Sequence, residues 1–290
     1  MAGRWPPRCG SGLWPVPIGS PGSYHHHMSQ PNGVRLLVAE QLMLLAFSAG
    51  DGRLHRPVQR FLPMGLAGAV LTELALRRGI SIDPRGRSPD KQVVVGMPPG
   101  TGDPLLDGVG AQVLAQPSRA LAWWIRRLSG SGIQGLVAGR LIADGLAVST
   151  GGLFGRRLHL TQPAAYAVHA DVAAGVRNAL LVGPAVAAPA GPTGVAGPAG
   201  VAGPWSAHLW VTDPWSASLT SLAFGCGVIN GFNWLPREQR KAAKASLQAI
   251  RGTDPIGLTV ANLVDRARRA QAAAAASSSV NAVMISTGGV

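Results

Sequence analysis

The chain has 290 residues, enough to bury one sizeable core, and 47% of them are hydrophobic. Its 26 Lys plus Arg stand against 13 Asp plus Glu, giving +13, and 23 of the cations are arginines, which grip phosphate in a forked way that lysine cannot. Two distant cysteines, Cys9 and Cys226, exclude a disulfide framework and suit a reducing cytoplasm, while the basic balance points to a polyanionic partner, unless it only reflects an Ala/Gly/Arg/Pro-rich composition.

Residues 1–33 hold Pro, Gly, Ser and the run His25, His26, His27 with no period that packs a face, so they are predicted to be a disordered tail. No continuous apolar stretch follows Arg4 and Arg8, which argues against a secretory signal, and Met28 offers an alternative start. Residues 36–47 predict an apolar helix that carries Glu40 and ends before the turn at 49–52. A basic loop with Arg53, His55, Arg56 and Arg60 leads to GLAGAVLTELALRRG at 65–79. Apolar residues wrap most of that segment, so it predicts a helix inside a bundle, with Glu73 one turn before Arg77 and Gly79 as a left-handed stop.

Ile80 and Ile82, then Val93 to Val95, predict a small two-stranded wing. The segment PPGTGDPLLD at 98–107 resembles the start of a phosphate-binding loop, but the Lys and Ser or Thr that such a loop needs are replaced by Asp103 and Pro104. Asp103 is instead a helix N-cap with Pro104 at the first helical position. Ser118 is predicted to cap a helix with the stripe Leu121, Trp124, Ile125, Leu128 and with Arg119, Arg126 and Arg127 off it; a second helix spans 133–144, its Arg140 snorkelling or pairing with Asp144.

Gly151 and Gly152 are predicted to turn a β-hairpin between 146–150 and 153–160. Its tip carries Leu153 and Phe154 beside Arg156 and Arg157, a group that suits entry into a lipid interface or packing against a neighbouring subunit or helix. A helix follows at 171–181. The Gly/Pro-rich stretch 183–204 has four collagen-like triplets, too few for a triple helix, and predicts a flexible insertion. Residues 214–236 lack any charge, yet asparagines, serines and glycines dilute the run, so it predicts a buried core helix rather than a membrane span. An amphipathic basic helix at 236–250 and a last helix at 258–276 with Arg266, Arg268 and Arg269 precede a loose tail within 271–290.

No paired carboxylates, metal-spaced His and Cys, G-x-S-x-G elbow or dinucleotide fingerprint occurs, so no catalytic residue, metal or cofactor is assigned. GLAGAVLTELALRRG, PPGTGDPLLD, RLIADGLA at 140–147, the hairpin with Leu-Phe at its tip, and LLVAEQLMLLAF near the start together resemble the Golgi phosphoprotein 3 family in its high-GC bacterial form. The resemblance spans 34–182 and, more faintly, 215–270. It implies a helical domain without enzymatic activity. In eukaryotic members it implies a basic pocket for phosphatidylinositol 4-phosphate, a membrane-entering hairpin, and a link between Golgi glycosyltransferases and a vesicle coat. The pocket's tryptophan falls here on Pro57 or Val58, and its three arginines fall on Ala67, Ser131 and Gln134, so none is retained.

The expectation is therefore a mainly α protein: one helical-bundle domain at 34–270 with a small wing and a hairpin. It is expected to act as a non-catalytic peripheral membrane or adaptor protein on the cytoplasmic face, with a protein cargo as a further partner. Anionic phospholipid would be held by Arg53, Arg56, Arg60, Arg126, Arg127, Arg156 and Arg157, with Leu153 and Phe154 at the apolar tip. A helical domain with a wing and many arginines also suits nucleic acid, and a scaffold with incidental charge is the third alternative.

Overall fold

The computed structural model describes residues 36–83, 88–96, 100–116, 118–152, 155–160, 163–182 and 213–287. The predicted tail at 1–33, the insertion at 183–204 and the hairpin tip Leu153 and Phe154 lie outside them. In chain order come α1 (Val38–Leu45), a single turn α2 (Arg56–Gln59), α3 (Leu62–Leu76), β1 (Ile80–Asp83), β2 (Val93–Gly96), α4 (Pro104–Leu114) and β3 (Arg119–Ala120). Then follow α5 (Leu121–Ser129), α6 (Ile133–Ala143), β4 (Val148–Gly152), β5 (Gly155–His159), α7 (Pro163–Val182), α8 (Pro214–Cys226), α9 (Arg237–Thr253) and α10 (Pro255–Thr287).

The apolar wrap of α3 places it at the centre, with every residue from Gly65 to Ala75 buried. It packs against α1, α5, α8 and α10. Gly65 and Gly68 permit the closest of these approaches. A Cβ at Gly65 would meet Cys226 Sγ at 2.8 Å, and one at Gly68 would meet Val260 Cγ2 at 2.6 Å and Leu222 Cδ2 at 2.9 Å. At the other end the expected left-handed stop moves by one residue, to Arg78 with φ 58°. Gly79 instead donates its N–H to the Leu74 carbonyl at 2.7 Å, closing the last turn.

The wing gains a third strand. β1 and β2 pair antiparallel with Ile82 opposite Val94, and β3 adds Arg119 opposite Val94 on the far edge. Two residues are too few for a readable alternation, so the segment passes for the start of a helix. Ala120, not Ser118, is the N-terminal boundary residue of α5. Asp103 does cap α4, accepting the N–H groups of Leu105 at 2.9 Å and Leu106 at 3.2 Å.

In the hairpin, β4 and β5 pair down to Gly152 opposite Gly155. Gly151 and Gly152 therefore belong to the ladder rather than to the turn.

The helix expected at 171–181 starts earlier, at Pro163, because Ala164, Ala165, Ala167 and Ala170 carry good helix propensity through the polar positions. The charge-free run at 214–236 is a core helix only in its first part: α8 ends at Cys226, is capped by Asp213 and has Ala217 through Ala223 all inaccessible, whereas the turns and bends that follow leave Asn230, Asn233 and Trp234 exposed. Among the described residues no helix is long and apolar enough to cross a membrane. The last helix runs on to Thr287, past its expected end at 276. It starts where the buried Asp254 accepts the N–H groups of Ile256 at 3.1 Å and Gly257 at 3.0 Å.

Candidate functional site

The turn after α1 forms one wall of a cleft. Ser48 N–H donates to the Arg53 carbonyl at 2.8 Å, and Asp51 Oδ1 accepts the Arg53 N–H at 3.2 Å, which folds the segment back on itself. Phe47 then pairs with Leu54, and Arg53 pairs with His159 of the hairpin. Leu160 N–H donates to the Gly52 carbonyl at 3.0 Å, joining loop to hairpin. Gly52 has φ +63°, and a side chain there would run into the Tyr166 hydroxyl, so glycine is required twice over.

The resulting cleft has a volume of about 540 Å³ and is lined by Ser48, Asp51, Arg53, Leu54, His55, Gln59, Gln134, Arg157, Leu158 and His159. Two guanidiniums from separate elements thus face one space with two imidazoles and two amides. Among the described residues the single carboxylate there is Asp51, fully exposed, its carboxyl held below the usual range by the Ser48 hydroxyl and then the Arg53 N–H. The balance favours an anion, and two arginine forks suit the several oxygens of a phosphate.

Of the residues expected to bind, Arg53 and Arg157 come together in this cleft. Arg60, Arg126 and Arg127 are exposed but do not line it. Arg56 opens α2 and Arg156 pairs with Gly151 in the ladder, but the side chains of both lie outside the described residues, as do Leu153 and Phe154. Sequence alone passes over Gln59, Gln134 and Ser48 as lining residues, since none carries charge. Gln134 had one signal: it occupies the place of a pocket arginine in the resemblance.

A second cationic group stands on α5. Arg119 and Arg127 place their guanidiniums 5.6 and 5.4 Å from the centroid of the Trp123 ring. The third charged assembly is internal. Glu73 Oε2 accepts the Val38 N–H at 3.0 Å and Glu40 Oε2 accepts that of Leu37 at 2.7 Å, so two buried glutamates satisfy the start of α1. Glu73 Oε1 also accepts from Arg77 at 2.8 Å. Arg140, expected to snorkel or to pair with Asp144, instead bridges Glu40, at 2.5 Å, and Asp103, at 3.0 Å, with a third of its side chain still exposed. Burial raises the Glu40 carboxyl above its ordinary range, opposed by Arg140 and the Leu37 N–H. Among the described residues no group of three or more His, Cys, Asp or Glu is placed to hold a metal.

The family model described as Golgi phosphoprotein 3 (GPP34) matches residues 38–281, from the first residue of α1 well into α10. The chain belongs to the Golgi phosphoprotein 3 family. Comparison with curated proteins gives no match. Within this Golgi phosphoprotein 3 fold, the motif-bearing segments are α3, the capped start of α4 and the end of α6, so the signature residues are largely those that build the bundle. Of the positions where the resemblance puts the pocket, Gln134 lines the cleft, while Ser131 is exposed with its hydroxyl donating to the Leu128 carbonyl at 2.8 Å. Ala67 and Val58 are buried, and Pro57 is exposed.

Proposed function

We propose that this member of the Golgi phosphoprotein 3 family is a non-catalytic peripheral membrane protein of the cytoplasmic face. The cleft between the 48–55 loop, the hairpin and the start of α6 would hold an anionic phospholipid head group. One observation carries the proposal: Arg53 and Arg157, 104 positions apart, line the same space as Gln134, with Asp51 as its only carboxylate among the described residues. The family, one of non-enzymatic adaptor and lipid-binding proteins, supports the same reading.

The head-group preference follows from the lining. With the arginines and tryptophan of the eukaryotic pocket replaced, charge rather than the identity of the sugar sets affinity. Leu153 and Phe154, between the two hairpin strands, supply the apolar anchor that a single head-group contact needs for stable attachment. A protein cargo remains the second partner of this proposal.

Sedimentation with three vesicle types tests it: phosphatidylcholine alone, phosphatidylcholine with phosphatidylglycerol, and phosphatidylcholine with phosphatidylinositol 4-phosphate at matched charge. Binding to both anionic types and not to the first is expected. Absence of binding to either anionic vesicle at low salt would remove the membrane role, and strong preference for phosphatidylinositol 4-phosphate would remove the charge-only selectivity.

A further inference from the structure

Away from the cleft, α5 presents cations in a fixed arrangement that the head-group site does not use. Trp123 is half-buried and set edge-on against the fully buried Trp124, with ring centroids 4.9 Å apart and planes at 89°, so its indole has a fixed orientation. Arg119, from β3, and Arg127, one turn further along α5, both lean on that indole.

Three physical points follow. Stacking on an aromatic ring occupies the face of a guanidinium and leaves its in-plane N–H donors pointing outward. Neither arginine has an ion-pair partner among the described residues, and Arg126, also exposed, adds a third unpaired cation beside them. Like charges gathered around one ring repel, and an anion brought to their outer edges relieves that repulsion.

We infer that Arg119, Trp123 and Arg127 form a second phosphate-binding site, which docks on the head groups of an anionic membrane independently of the cleft. The inference rests on the membrane role proposed above but not on the cleft being the head-group site. Lipid is favoured over nucleic acid by the indole, whose half-buried apolar ring with cations at its margin matches the boundary between head groups and water.

The test compares four forms of the full chain on phosphatidylcholine vesicles with and without phosphatidylglycerol: the parent, Arg119→Gln/Arg127→Gln, Arg53→Gln/Arg157→Gln, and the two pairs combined. Circular dichroism melts check that each is folded. The α5 pair is expected to weaken binding to anionic vesicles about thirtyfold at low ionic strength, as removal of two cations near an anionic surface should, and to do so equally with the cleft arginines present or replaced. Trp123→Phe should remove a component of tryptophan fluorescence that brominated lipid quenches. Parent-like binding by the α5 pair overturns the second site, even if the cleft pair binds weakly and the cleft stands. Weakened binding of the α5 pair beside parent-like binding of the cleft pair upholds the second site and sinks the cleft. If the parent binds a random DNA duplex and no vesicle, the membrane assignment fails for both.

Discussion

Arg140 on α6 and Glu40 on α1 are joined at 2.5 Å across 100 residues of chain, and the same guanidinium reaches Asp103 at the start of α4. Three helices that are distant in sequence thus share one cation. Glu40 is almost wholly inaccessible, while the Arg140 side chain keeps a third of its surface, so the charge pair is dry on one side and wet on the other.

That asymmetry sets what mutation does. Replacing Arg140 with Met leaves the Glu40 carboxylate buried without its counter-charge, and the expected loss is about 3 kcal/mol of folding stability in urea denaturation. Glu40→Gln combined with Arg140→Met should recover part of that loss. A single-variant cost below about 1 kcal/mol would show that the pair is solvated enough to be dispensable.

Helix packing makes a contrasting pair of predictions. Gly68→Ala pushes a methyl into Val260 on α10 and Leu222 on α8 and should cost about 1–3 kcal/mol. Gly139→Ala on the open side of α6 meets nothing within 4 Å and should stabilise by about 0.5–1 kcal/mol through helix propensity alone. Thermal melts of the two variants should move in opposite directions; movement in the same direction would contradict the packing described for α3.

Asp254 predicts a pH dependence. Burial pushes its carboxyl up from 3.8 to about 6, against the backbone N–H groups that it caps. A carboxyl raised on folding binds its proton more tightly in the native state. Its stabilising contribution is therefore complete below pH 3.8 and is lost as pH rises through about 6. Relative to Asp254→Asn, which keeps the acceptor that caps α10, the parent should lose about 3 kcal/mol between those limits. A difference between the two proteins that stays flat from pH 4 to 7 would contradict the burial of this group.

For the cleft, the readout is salt. The Arg53→Gln/Arg157→Gln variant should bind anionic vesicles about thirtyfold more weakly at low ionic strength, with an unchanged melting temperature, since both side chains are exposed. Its deficit should shrink as salt screens the parent. Separately, Leu153→Ser/Phe154→Ser should weaken attachment at all salt concentrations, because the contact removed is apolar. If instead it changes only the oligomeric state, the tip packs against protein.

The amino-acid order by itself determined that the protein is a helical bundle, that α3 lies at its centre, that Asp103 caps α4 and that the first half of 214–236 is a core helix. Each is a matter of local periodicity, or of one side chain bonding to backbone two or three residues away. It also carried the family, because the matching segments are those same bundle-forming stretches. Only the tertiary structure decided that Arg140 serves Glu40 and Asp103 instead of Asp144, that Arg119 begins a strand, and that Arg53 and Arg157 face one cleft while Arg60, Arg126 and Arg127 do not. These depend on which distant helices meet and at what rotation, and periodicity gives the buried side of an element without naming its neighbour.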